Sequence, residues 1–147
     1  MVRVLVRRLH PEARLPNRAM EGDAGADLHS VARVELAAGG GRALVPVGLA
    51  LELPDDAVAY VMPRSGLSLR HGVTTLNAPG VIDSGYRGEI GVVLINTDPH
   101  EPFTVEPGDR VAQLIVRRLD PVDFVEVDEL SSSARGAGGF GHTGVGD

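Results

Sequence analysis

The chain has 147 residues, with 20 acidic against 14 basic side chains and a net charge of −6, which suits one domain around one core. It contains no cysteine, which excludes disulfide frameworks, thiolate zinc sites, iron–sulfur clusters and cysteine nucleophiles. All basic residues are arginine and form no basic stripe, so nucleic acid is not an expected partner.

From the N-terminus, Val2 to Leu9 is a candidate strand carrying Arg3, Arg7 and Arg8, with no apolar stretch after it to make a signal peptide. The longest apolar run, Ala43 to Leu51, contains Pro46 and Gly48 and is too short to cross a bilayer. A soluble, cytoplasmic chain without membrane contact is expected. Further apolar runs rich in Val, Leu and Ile span Ala43 to Leu53, Ala57 to Met62, Glu89 to Asn96, Arg110 to Leu119 and Val122 to Val127. Gly, Pro and Asp clusters separate them, including Gly39-Gly40-Gly41, Pro79-Gly80 and Pro107-Gly108-Asp109. Short strands punctuated this closely predict an all-β sandwich or jelly roll. One stretch suits a helix: Ser65 to His71, entered after Pro63 and stopped at Gly72. From Ser131 onward the composition turns to Ser and Gly, with Arg135 and one aromatic, Phe140, which predicts a β domain over 1–130 and a flexible arm over 131–147.

Several positions in these elements suggest chemistry. Asp83 lies where an apolar run enters a glycine turn, able to project its carboxylate or to bond its own backbone. Tyr86, three residues on, suits either a packing cap or a platform for a sugar or base. Asn77 to Ile82 reads as a hairpin arm turning at Pro79 and Gly80. Arg64-Ser65-Gly66 opens the helical stretch, either as an anion site or as a surface Arg followed by a Ser N-cap. Strict alternation puts Val111, Gln113 and Ile115 on one face, so the Gln113 amide interrupts an apolar row and needs polar partners. The five histidines are scattered, and no group of residues has metal-ligand spacing.

Five blocks occur in order: Ala24-Gly25-Ala26-Asp27-Leu28; Pro63-Arg64-Ser65-Gly66-Leu67; Gly80 to Gly88, reading GVIDSGYRG; Arg110-Val111-Ala112-Gln113-Leu114; and Arg135 to Gly141, reading RGAGGFG. Together they resemble the five ordered motifs of the trimeric deoxyuridine triphosphatases, over most of the chain from Ala24 to Gly144. The resemblance implies a distorted jelly roll, also described as a β-clip, that hydrolyses dUTP to dUMP and pyrophosphate with Mg²⁺. It makes Asp83 the base that aligns water for attack on the α-phosphorus. Arg64, Ser65, Gly66, Gln113, Arg135 and Thr143 are then phosphate ligands. Asn77, Gly80, Val81 and Ile82 read uracil, Tyr86 underlies the deoxyribose and excludes a 2′-hydroxyl, and Phe140 stacks on the base. Asp27 acts at the Mg²⁺ through water. The family forms homotrimers whose sites are shared: the Asn77–Tyr86 arm from one chain, Asp27, Arg64, Ser65 and Gln113 from a second, and the C-terminal tail from a third. His142 stands where many members have Ser. Two alternatives from other classes are a dCTP deaminase and a non-catalytic nucleotide-sensing jelly roll. The first needs a carboxylate on the strand that here reads Val92-Val93-Leu94-Ile95.

Overall fold

A computed structural model describes residues 1–139. Ten strands and one helix follow in the order β1 (Leu5–Arg8), β2 (Ala26–His29), β3 (Val34–Leu36), β4 (Arg42–Glu52), β5 (Ala57–Met62), α1 (Ser65–His71), β6 (Val73–Thr75), β7 (Gly80–Ile82), β8 (Glu89–Asn96), β9 (Phe103–Val105) and β10 (Arg110–Arg118). Every pairing is antiparallel. One sheet has the order β1-β4-β8-β6, a second β2-β10-β5-β7, and β3 pairs with β9. The expected all-β jelly-roll sandwich with one short helix is what forms.

The aliphatic runs make the core between the two four-stranded sheets. In β8, Ile90, Val92 and Leu94 are buried at alternate positions, and Leu28, Val45, Leu49, Val73 and Val111 complete the interior. β5 buries four of its six residues, Ala57, Val58, Ala59 and Val61, and three of them, Ala57, Ala59 and Val61, join the core. Of the described phenylalanines, Phe103 packs partly buried against this core and Phe124 is exposed, so the interior is aliphatic.

The long β4 tolerates Pro46 and Gly48 because its ladder with β8 breaks between Pro46 and Ala50. Gly48 adopts φ +68°, and its N–H donates to Glu89 Oε1 at 2.9 Å. A Cβ there would lie 2.7 Å from the Cβ of His10, so both backbone and space require glycine. Helix α1 spans the expected residues and ends at Gly72, whose φ of +63° lets its N–H reach Ser68 O at 3.1 Å. Its N-cap is Arg64 rather than Ser65, with no side-chain cap.

Three expectations need correction. Val122 to Val127 is not a strand: Val122, Phe124 and Val125 are 69%, 94% and 71% exposed, and among the described residues no strand pairs with them. Its valines and phenylalanine alternate imperfectly with acids, and within one chain no sheet edge or apolar face meets them. Asn77 to Ile82 is not a hairpin. Val73–Thr75 pairs with β8 in the first sheet and Gly80–Ile82 with β5 in the second, so the intervening turn, with its cis Ala78–Pro79 peptide, crosses between sheets. In β10 the register shifts between Arg110 and Ala112, so Val111, Ala112 and Leu114 are all buried while Gln113 is half-buried. The bulge moves Val111 to the buried side, so the row that Gln113 interrupts keeps Ile115 but loses Val111.

Replacing Gly48 with Ala should cost about 2–4 kcal/mol of stability, combining left-handed strain with overpacking against His10. An unchanged midpoint in urea would contradict this reading of the bulge.

Candidate active site

The predicted residues gather in two separate depressions. The first, of about 180 Å³, is lined by Asn77, Gly80, Val81, Ile82, Asp83 and Tyr86, with Glu89 among its neighbours. The second, of about 370 Å³, is lined by Asp27, Arg64, Ser65, Gly66 and Gln113, together with Gly25, Asp23 and Arg110. No residue lines both. Strand order explains the division. The first cleft lies at β7, one edge of the second sheet, and the second lies over β2 and β10 at its other end, three strand spacings or roughly 14 Å away.

In the first cleft, β7 delivers Asp83 to a turn in which Tyr86 N–H donates to Asp83 O at 3.1 Å. The Asp83 carboxylate is exposed, and among the described residues it accepts no hydrogen bond. Tyr86 is half exposed, and its hydroxyl donates to Glu89 O at 2.9 Å, which fixes the ring against the next strand. Gly88 leaves room for that hydroxyl, since a Cβ there would come within 2.4 Å of it. Gly80 is buried against Val61 and Asn77.

The second cleft is polar and organised by one carboxylate. Asp27, on β2, faces Arg110 Nη1 at 3.3 Å and Arg64 Nε at 3.7 Å. Arg64 also donates from Nη1 to Arg110 O at 2.9 Å. The three side chains thus hold one another, and Ser65 and Gly66 open α1 beside them. Gln113 Nε2 donates to Pro63 O at 2.9 Å, tying β10 to the loop that carries Arg64. His29, two residues along from Asp27, is buried with Nδ1 unpartnered among the described residues. Burial, followed by Arg14, pushes its pKa below the usual histidine value, and Asp27 opposes this only in part.

Arg110 is a cleft residue that the sequence reading passed over. Its signal was its place two residues after the Pro107-Gly108 turn and three before Gln113, in the fourth motif itself. Arg135 is exposed and lines neither cleft; its Nε donates to Gly138 O at 2.9 Å. Phe140, His142 and Thr143 lie outside the described residues. Among the described residues no three His, Cys, Asp or Glu side chains converge on a metal position, and no helix is long and apolar enough to cross a membrane.

A dUTPase family profile matches residues 11–144. The chain belongs to the dUTPase family. It is 58% identical over 143 residues to the deoxyuridine 5'-triphosphate nucleotidohydrolase of Thermobifida fusca, covering 97% of this chain and 79% of that protein. The Corynebacterium efficiens enzyme of the same description is 53% identical, with 95% and 76% covered. A dUTPase of Staphylococcus bacteriophage 80alpha, solved with dUpNHpp, superposes with a TM-score of 0.87 at 27% identity, covering 97% of this chain and 99% of that one. This dUTPase is accordingly a dUTP diphosphatase, and the deaminase and non-catalytic alternatives fall away.

Replacing Arg110 with Met should raise the KM for dUTP about tenfold by loosening Arg64 and Asp27. Because Arg110 is half exposed, stability in urea should move by no more than about 1 kcal/mol. A wild-type KM would show that the Asp27 cluster does not depend on it.

Proposed function

We propose that the two clefts are halves of one active site, completed between subunits of a homotrimer, with the cleft at β7 taking the deoxyuridine and the cleft at β2 and β10 the triphosphate. The observation that carries this reading is the sorting of the motif residues into two clefts of distinct chemistry. A nucleotide seated in one cleft of a lone chain lacks the groups of the other. The apolar residues exposed beyond β10, Val122, Phe124, Val125, Val127 and Leu130, support assembly, since a neighbouring subunit supplies the surface they lack here.

In this assembly Asp83 orients a water for in-line attack on the α-phosphorus and accepts its proton as pyrophosphate leaves. Arg64, Ser65, Gly66 and Gln113 hold phosphate oxygens through guanidinium, hydroxyl, backbone N–H and amide donors. Asn77 with the main chain of Gly80, Val81 and Ile82 pairs with the uracil edge, so that a cytosine would leave a buried polar group unmatched. Tyr86, held by Glu89 O, blocks the space of a ribose 2′-hydroxyl. The 131–147 arm then closes the site, with Arg135 and Thr143 on the phosphates and Phe140 on the base.

The phosphate cleft supports a place for Mg²⁺. Its charged side chains balance, Arg64 and Arg110 against Asp23 and Asp27, so a polyanionic substrate requires further positive charge. Arg135 supplies some of it, and Mg²⁺ carried on the phosphates supplies the rest. Mg²⁺ commonly keeps several waters and binds through substrate phosphates with one or two carboxylates. Asp27, already engaged by two guanidinium groups, suits contact through water. When bound, the ion neutralises phosphate charge and fixes the bend of the triphosphate. The product dUMP is available for methylation to thymidylate, and the enzyme works in the cytoplasm on the DNA precursor pool.

Pyrophosphate release should be fast from dUTP and at least about 100-fold slower from dCTP, dTTP and UTP. It should fall with chelator, and by about 1,000-fold or more in Asp83→Asn. Undiminished turnover in Asp83→Asn would remove that residue from the chemistry.

A further inference from the structure

We infer that Gly25 is a positioning residue for the hydrolytic site, kept without a side chain so that the Gln113 amide can be held in its working orientation. The inference rests on the reading above that Gln113 donates to a phosphate oxygen. Gln113 belongs to β10, paired on one side with Asp27 and on the other with Met62. Its Nε2 donates to Pro63 O at 2.9 Å, which fixes which amide atom is nitrogen, because an oxygen there would face another oxygen. One N–H is thereby used, and the second remains for a ligand.

Gly25 lies across from that amide. A Cβ on Gly25 would sit 2.1 Å from Gln113 Oε1, 2.9 Å from Cδ and 3.1 Å from Cβ. Gly25 is not among the glycines with positive φ, so its backbone accepts an L-residue; the severe overlaps are with the amide, and the 3.1 Å approach to Gln113 Cβ needs a shift of a few tenths of an ångström. Gly22, Gly39 and Gly40, by contrast, are held by positive φ with open space around them. The least costly response to a methyl at Gly25 is rotation of the carboxamide, the far end of a flexible side chain. That rotation breaks the bond to Pro63 O and turns both N–H donors away, while the packing of β10 is kept. The residue therefore acts on catalysis through Gln113 and on little else.

The test is a double-mutant cycle on dUTP hydrolysis by the full chain: wild type, Gly25→Ala, Gln113→Ala and the double variant, each with a urea midpoint. Gln113→Ala should lose roughly 10- to 100-fold in kcat/KM, the scale of one hydrogen bond to a charged group. Gly25→Ala should lose a similar factor, and the double variant no more than Gln113→Ala alone. A purely structural role for Gly25 would multiply the two losses, and that result would overturn the inference. So would wild-type activity in Gly25→Ala beside an impaired Gln113→Ala. Wild-type activity in Gln113→Ala would instead sink the phosphate-ligand reading, and the inference with it. If Gly25→Ala does not fold, the double variant, which lacks the obstructing amide, should fold; its failure to do so would also overturn the inference.

Discussion

The register of β10 is the constraint on which the phosphate cleft depends. This strand lies between β2 and β5, so one residue, Gln113, is placed opposite both Asp27 and Met62. Asp27 then meets Arg110 from β10 itself and Arg64 from the loop after β5. A slip of one residue would turn Gln113 into the aliphatic interior and Leu114 into the cleft, at the cost of an unpaired buried amide. The bulge between Arg110 and Ala112 lets Val111 stay buried while Arg110 and Gln113 both reach the cleft. Core packing and site geometry are thus set by the same ladder of hydrogen bonds.

The same sheet underlies the proposal that the site is shared between chains. Its strand order puts the Asp83 and Tyr86 cleft at one edge and the Asp27 and Gln113 cleft towards the other. A rigid sheet cannot fold one onto the other, so in the proposed assembly a second copy brings the two chemistries to one nucleotide. Specificity and turnover are divided accordingly. In the proposed site, base and sugar selection belongs to a turn braced by the Tyr86 hydroxyl, and charge neutralisation to a cleft whose arginines contact Asp27. In the proposed site the arriving phosphates take over these guanidinium groups from a carboxylate.

Much of this was legible in the sequence because it rests on local chemistry. The bounds of α1 follow from Pro63 and Gly72, and β5 and β8 from their aliphatic runs. The motif blocks hold Asp83 and Tyr86 of the first cleft and Asp27, Arg64 and Gln113 of the second. What escaped was non-local. The three-residue strands β3, β6, β7 and β9 are too short to carry a period, and they exist because a neighbouring strand accepts them. Val122 to Val127 has a strand's composition but no partner strand among the described residues. The Asn77–Ile82 hairpin failed because local turn chemistry does not say which sheet each flank joins. The place of Val111 in the row of Gln113 was misjudged through a bulge that alternation cannot reveal. Gly25 and Arg110 stood inside quoted motifs, yet the space one leaves and the carboxylate the other meets become visible only once β2 lies beside β10.

The central claim is that each site is shared between chains, and mixed assembly tests it most directly. Arg64→Ala and Asp83→Asn subunits should each be nearly inactive alone. Unfolded together in equal amounts and refolded, they should regain about one quarter of wild-type activity. Three-quarters of random cyclic trimers are mixed, and each of those holds one intact site of three. Absence of recovery in assemblies verified to contain both variants would mean that each chain completes its own site.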